Sequence, residues 1–198
     1  MPVDVLTEAE SHRVLTWAST QKRTKRNQYV CKRNTLMFLL MLDAGLRVGE
    51  VVKLTFESLC TGENVHTGVM IHAATTKTKT KRSVPMSNRL HDAVVDWVGI
   101  HAQAAHNIPD AWVFQGPNFE VHFSTRQLNR IVNKCGREAL RKPIHPHIMR
   151  HTFATKLMRT CPMAVVQVLL GHASITSTQI YTHANSDDLR NAINGMES

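Results

Sequence analysis

The segment from Asn27 to Ala44 restricts the fold more than any other part of the chain. Its second half, Leu36-Met37-Phe38-Leu39-Leu40-Met41-Leu42, leaves no polar face at helical spacing. A helix that is apolar on all sides has to be surrounded by other elements. The run falls short of the roughly 18–20 residues that cross a bilayer, and Lys32, Arg33 and Asp43 flank it. It is therefore read as a buried core helix that stops at Gly45, the residue type that best closes a helix C-terminus. A chain organised around such a helix is a packed globular domain with no membrane span.

The other elements follow from local signals. Thr7-Glu8-Ala9-Glu10 has capping-box spacing and opens a first helix to about Ser19. Val48 to Leu54 reads as a short helix. Val69–Ile71 and Arg82–Pro85 read as two strands of a hairpin, with a Thr/Lys alternation between them forming an exposed basic tip. Further helices are expected at about 88–105, 125–141, 147–159, 163–170, 175–183 and 187–195. Ser124-x-x-Gln127 caps one of them, and Pro162 suits the first turn of another. No internal repeat, low-complexity stretch or linker interrupts the pattern. The expected fold is mostly α with a small β-hairpin, an α+β arrangement in a single domain spanning 1–198.

The formal charge of +9 is large for this length and points to a polyanion, with nucleic acid ahead of an anionic membrane surface. Cys31, Cys60, Cys135 and Cys161 lie far apart with no C-x-x-C pair, which reads as reduced thiols in a cytosolic protein. The start of the chain carries none of the marks of a signal peptide.

Four places could carry chemistry. Arg47 follows Gly45-Leu46 at a helix boundary, where a guanidinium could meet an anion; taken alone, it reads as a surface arginine paired with Glu50 at i+3. Lys77, Lys79, Lys81 and Arg82 form a basic hairpin suited to phosphate contact, or simply a solvated charge run. In His145-Pro146-His147-Ile148-Met149-Arg150-His151, helical spacing puts His147, Arg150 and His151 on one face. His147 and His151 have the spacing of the zinc motif H-E-x-x-H, but Ile148 stands where the glutamate belongs. That favours an imidazole and a guanidinium aimed at one phosphate. Finally, Leu170-Gly171-His172 is followed nine residues later by Tyr181, which by itself would read as core packing.

The order of these places decides among the readings. Ala44-Gly45-Leu46-Arg47-Val48-Gly49-Glu50, then a hairpin lysine, then Pro146-His147-Ile148-Met149-Arg150-His151-Thr152-Phe153-Ala154-Thr155, then Leu169-Leu170-Gly171-His172-Ala173-Ser174-Ile175 through Tyr181-Thr182-His183 resembles the tyrosine recombinase (phage integrase) family. The likeness runs from Leu6 to about Ile193. It implies the catalytic-domain fold of that family and a DNA-cutting and rejoining enzyme with Arg47, Lys77, His147, Arg150, His172 and Tyr181 in the catalytic set. Tyr181 is the nucleophile of that set. Lys77 is placed by counting back from Ser83-Val84-Pro85-Met86, with Lys79 as the alternative; Lys79, Lys81 and Arg82 are then expected to contact DNA.

The resemblance further implies double-stranded DNA as partner and a protein that is monomeric in solution but forms a dimer or tetramer on DNA. It implies no metal, no other cofactor, and a cytoplasmic protein of prokaryotic or mobile-element origin. The helical core-binding domain that most members carry ahead of the catalytic one is expected to be absent. Two other readings use the same residues or the same fold. A relaxing activity like that of a type IB topoisomerase would lack strand exchange, and a non-catalytic DNA-binding accessory protein would tolerate Tyr181→Phe.

Overall fold

The computed structural model describes residues 4–20, 25–72, 81–102, 107–116, 120–162, 166 and 169. The expected helices at 175–183 and 187–195, and most of that at 163–170, lie outside them.

Helix α1 (Glu8–Ser19) begins at the capping box the sequence predicts. The Thr7 hydroxyl accepts from the Glu10 amide at 3.2 Å, and the Glu10 carboxylate accepts from the Thr7 amide at 2.9 Å. Helix α2 (Lys25–Leu42) starts two residues earlier than expected and is the core helix. Every residue from Leu36 to Leu46 is buried, which is why its apolar pattern has no polar face. It packs against α1, against α4 (Asn88–Ile100) and against α6 (Pro146–Thr160).

Helix α3 (Val48–Val52) is shorter than predicted, because the chain turns at Lys53 into a 3₁₀ turn at Phe56–Ser58. Two small antiparallel pairs follow. Strands β1 (Cys60–Thr61) and β2 (Asn64–Val65) are too short to show an alternation in the sequence. Strands β3 (Gly68–Ile71) and β4 (Arg82–Pro85) form the predicted hairpin, in the register Gly68↔Pro85 to Ile71↔Arg82.

Two expected helices change geometry before their predicted ends. Ala102 is helical again, but helix α4 itself is broken after Ile100, where His101 leaves helical geometry. Its ring turns in against Trp97, Tyr29 and Phe56. Helix α5 (Thr125–Cys135) is capped by Ser124 as predicted, then widens into a π-turn over Gly136–Leu140. The chain folds back over Gly136 so tightly that a Cβ there would lie 2.6 Å from the Ile144 side chain and 2.7 Å from the Lys142 carbonyl. Helix α6 carries Pro146 in its first turn. The chain start is stitched to it: the Leu6 amide donates to the Thr152 hydroxyl at 2.9 Å, and that hydroxyl donates to the Ile148 carbonyl. Among the described residues no helix is long and apolar enough to cross a membrane.

Candidate active site

The end of α2 sets the position of the first arginine. Gly45 has φ +60°, and the Leu46 amide returns to the Leu40 carbonyl at 3.0 Å, so the chain wraps sharply round the helix end. A side chain at Gly45 is doubly excluded: its Cβ would lie 2.3 Å from Cδ1 of the buried Phe153. Two residues on, Arg47 is the N-cap residue of α3 with extended backbone.

Glu50 collects what this turn presents. It is 2% exposed, and both its oxygens are fully used. Oε1 accepts from Arg47 Nη1 at 3.1 Å and Arg82 Nη1 at 3.0 Å; Oε2 accepts from the Arg47 amide at 2.8 Å and Arg82 Nη2 at 2.9 Å. Burial alone would raise its pKa, but the Arg82 hydrogen bonds, the Arg47 amide and the two guanidinium charges outweigh that, so the carboxyl sits below its ordinary value. The Arg47–Glu50 pair that local spacing suggests is therefore real. It still leaves Arg47 about a quarter exposed, with donors to offer an incoming anion.

Arg150 comes from the other side. It lies on α6, buried, and its Nη1 donates to the Gly45 carbonyl across 105 residues of sequence. Burial, then the charges of Arg47 and Arg82 against the opposing pull of Glu50, push its pKa down to about 10, so it remains a cation at neutral pH. His147 sits in the first turn of the same helix and is exposed. Its pKa is lowered by desolvation, then by His145, His151, Arg150 and Arg47. Both effects favour the neutral imidazole beside the Arg47 and Arg150 cations. The positive end of the α6 dipole adds to the preference for an anion here.

The two motifs read from the sequence therefore meet in space: Arg47, Arg150 and His147 share one electrostatic neighbourhood. Lys77, Lys79, His172 and Tyr181 lie outside the described residues. Lys81 is exposed beside β4. Arg82, expected with the lysines on the DNA-facing edge, is instead turned inward: its side chain is 8% exposed and held by Glu50. Period-two alternation puts Arg82 on the face of the buried Val84, a signal that the basic run leading into the strand masked. As for the histidine spacing, the His147 and His151 rings are 6.4 Å apart, and among the described residues no three His, Cys, Asp or Glu side chains are grouped to hold a metal ion.

One feature escaped the sequence reading. The outer face of α5 and its π-turn presents Arg126, Arg130, Lys134 and Arg137, with Asn129 and Asn133 between them, along an open groove that reaches His145. The opposite face, Leu128, Val132 and Cys135, is buried. Basic residues at i, i+4 and i+8 after the Ser124 cap were the signal available in the sequence. Such a stripe suits a phosphate backbone.

Comparison with known proteins points to one family and one fold. The model of the phage integrase family matches residues 4–188. Tyrosine recombinase XerD of Lacticaseibacillus casei is 36% identical over 166 residues, 79% of this chain and 52% of that protein. Tyrosine recombinase XerC of Azotobacter vinelandii is 30% identical over 164 residues, 82% of this chain and 52% of that protein. The chain spans about half the length of these curated relatives. The crystal structure of XerA recombinase superposes with a TM-score of 0.70 at 27% identity, over 100% of this chain and 66% of that one. XerH recombinase bound to its difH substrate has the same fold, with a TM-score of 0.68 at 20% identity over 91% of this chain and 50% of that one.

Proposed function

The chain belongs to the phage integrase family of tyrosine recombinases, and on that premise we propose that it cuts and rejoins DNA strands site-specifically through a covalent phosphotyrosyl intermediate at Tyr181. The observation that carries this reading is the meeting of Arg47, Arg150 and His147 from motifs a hundred residues apart. Two planar guanidinium groups close enough to feel each other's charge suit the non-bridging oxygens of a phosphodiester and the charge that grows on them in the transition state. Lysine is no substitute at either place, since an ammonium cannot donate in parallel to two oxygens.

In this reading the Tyr181 phenolate attacks the scissile phosphorus. The bond to the 5′-oxygen breaks, leaving a 3′-phosphotyrosyl enzyme and a free 5′-hydroxyl. A phenol has a pKa of about 10, so a neutral imidazole is useful as proton acceptor or orienting group. The lowered pKa of His147 favours that form. Lys77 protonates the leaving 5′-oxygen, with Lys79 as the alternative, and His172 donates to the phosphate. The phosphotyrosyl bond conserves the energy of the broken link, so religation needs no nucleotide. Two arginines and a lysine neutralise the phosphate without a divalent ion. Double-stranded DNA is the partner, with Lys81 and the basic stripe of α5 as phosphate contacts, and strand exchange between two duplexes calls for assembly as a dimer or tetramer on DNA.

The test is a suicide duplex, nicked beside the cleavage point and selected from a randomised pool, incubated in EDTA with wild-type protein and with Tyr181→Phe. A covalent adduct that resists denaturation and is lost in the variant is expected. Equal adduct from both proteins would remove Tyr181 from its role, and DNA binding with no adduct from either would leave an accessory DNA-binding protein.

A further inference from the structure

Arg82 is the group whose placement departs most from its surroundings. The residues just before it in sequence, Lys79 and Lys81, continue the basic alternation of the hairpin, yet Arg82 is nearly buried. Its Nε is buried as well and finds no hydrogen-bond partner among the described residues. A buried guanidinium with an unsatisfied donor is an expensive choice for a site that any strand-forming residue could fill. What it does make is a two-pronged pair with Glu50, at 3.0 and 2.9 Å.

That pair acts on the site through Glu50. A carboxylate offers about four acceptor positions, and here two are filled by Arg82 and two by Arg47, one from its amide and one from its guanidinium. The fork from Arg82 fixes the plane of the carboxylate. With the plane fixed, Oε1 sits where it can hold Arg47 Nη1 and Oε2 where it can hold the amide that starts α3. Without the fork, a buried carboxylate bonded only to Arg47 would be free to rotate about its last bond and to draw the Arg47 side chain inward, away from its exposed face.

Resting on the reading of Arg47 as a phosphate-binding group, we propose that Arg82 is a positioning residue, which orients Arg47 through Glu50 and makes no contact with DNA itself. The strand carries it for this purpose: as the first residue of β4, paired in register with Ile71, it ties the aim of Arg47 to the hairpin's seating on α3.

The test uses the full chain and a suicide duplex selected by the wild-type protein. For Arg82→Met, adduct formation at saturating DNA should slow by about 10- to 100-fold, the effect of a small misplacement of a phosphate-binding group. DNA affinity should stay within about twofold, as expected when no contact with DNA is removed. Arg82→Lys, which keeps the charge and loses the fork, should recover part of the rate. Adding Arg82→Met to Glu50→Gln should slow the reaction by less than about twofold beyond Glu50→Gln alone, since the two act on one path. This double variant removes the buried charge, so it also answers the question if Arg82→Met alone fails to fold.

Weaker DNA binding with an unchanged saturated rate would overturn the proposal in favour of direct phosphate contact. A full additional loss on the Glu50→Gln background would overturn it too. A second measurement needs no DNA. In protein labelled with ¹⁵N-arginine, the Arg47 Nη signals should be resolved while Glu50 pins the group and should merge in Arg82→Met; unchanged signals would refute the relay. If the wild-type protein forms no adduct with any duplex, the recombinase reading fails and the arginine signals decide the relay alone.

Discussion

Gly45→Ala is the change whose effect the structure specifies most fully. Two costs combine. An L-residue at φ +60° is strained by about 1–2 kcal/mol. The new methyl would also sit 2.3 Å from Cδ1 and 2.7 Å from Cε1 of Phe153, which is fully buried and cannot swing into solvent. Relieving an overpacked contact of that kind costs about 1–3 kcal/mol. The sum, about 2–5 kcal/mol, is a large part of the roughly 5–15 kcal/mol that holds a domain folded. At about 2–4 °C per kcal/mol for a chain of this size, the thermal midpoint should fall by about 4–20 °C. Urea titration and differential scanning calorimetry would measure it. Because the clash is specific, Gly45→Ala should cost less in a Phe153→Leu background, and the double-mutant cycle reports the difference. The Gly45 carbonyl also accepts from Arg150, so adduct formation should slow even at temperatures where the variant is folded. A loss under about 0.5 kcal/mol, the level of an ordinary surface change, would refute the claim that this turn is sterically closed.

Other outcomes follow from the buried titratable groups. Glu50→Gln should destabilise the protein at neutral pH by about 3 kcal/mol, the scale of breaking a buried ion pair. The Glu50 carboxyl is held below its ordinary value in the folded state, so its contribution is present above the ordinary carboxylate pKa and lost as pH falls through the folded one. Wild-type and variant stabilities measured by urea denaturation should therefore converge toward acid, and parallel curves from neutral pH downward would contradict this. His101, whose Nε2 is buried without a partner among the described residues, has its pKa lowered by burial in the Tyr29, Phe56 and Trp97 cluster. Its neutral form is favoured by folding, so stability should fall as pH drops below the imidazole's ordinary pKa of about 6.5. His101→Phe should keep the aromatic packing and flatten that part of the profile; an unchanged profile would mean the ring is not excluded from water.

Much of the architecture was legible locally because its signals are local. Thr7 and Ser124 start helices by bonding amides within three residues, a relation that needs no tertiary partner. The dense apolar run of α2 announces burial on every side whatever surrounds it. The misses have the opposite character. Helix α4 breaks where His101 packs on Trp97 of the same helix and on Tyr29 and Phe56 from two other segments, and the π-turn after Cys135 exists because Ile144 returns against Gly136. Residues 88–105 taken alone do not record the Tyr29 and Phe56 contacts, nor residues 125–141 the return of Ile144.

The same division holds in the candidate site. Residue identity and order along the chain determined which family the protein belongs to and which side chains were candidates, because those motifs are written in short, contiguous words. Tertiary structure alone decided how the candidates are used. Arg47 has both its local partner Glu50 and an exposed face. Arg150 is buried on a carbonyl 105 residues away. Arg82, which continues the basic run of Lys79 and Lys81 in the sequence, is drawn out of the solvent-facing set by a buried carboxylate 32 residues earlier. The physical reason is that a charge's role depends on the counter-charge and the water around it, and both are set by residues that only folding brings near.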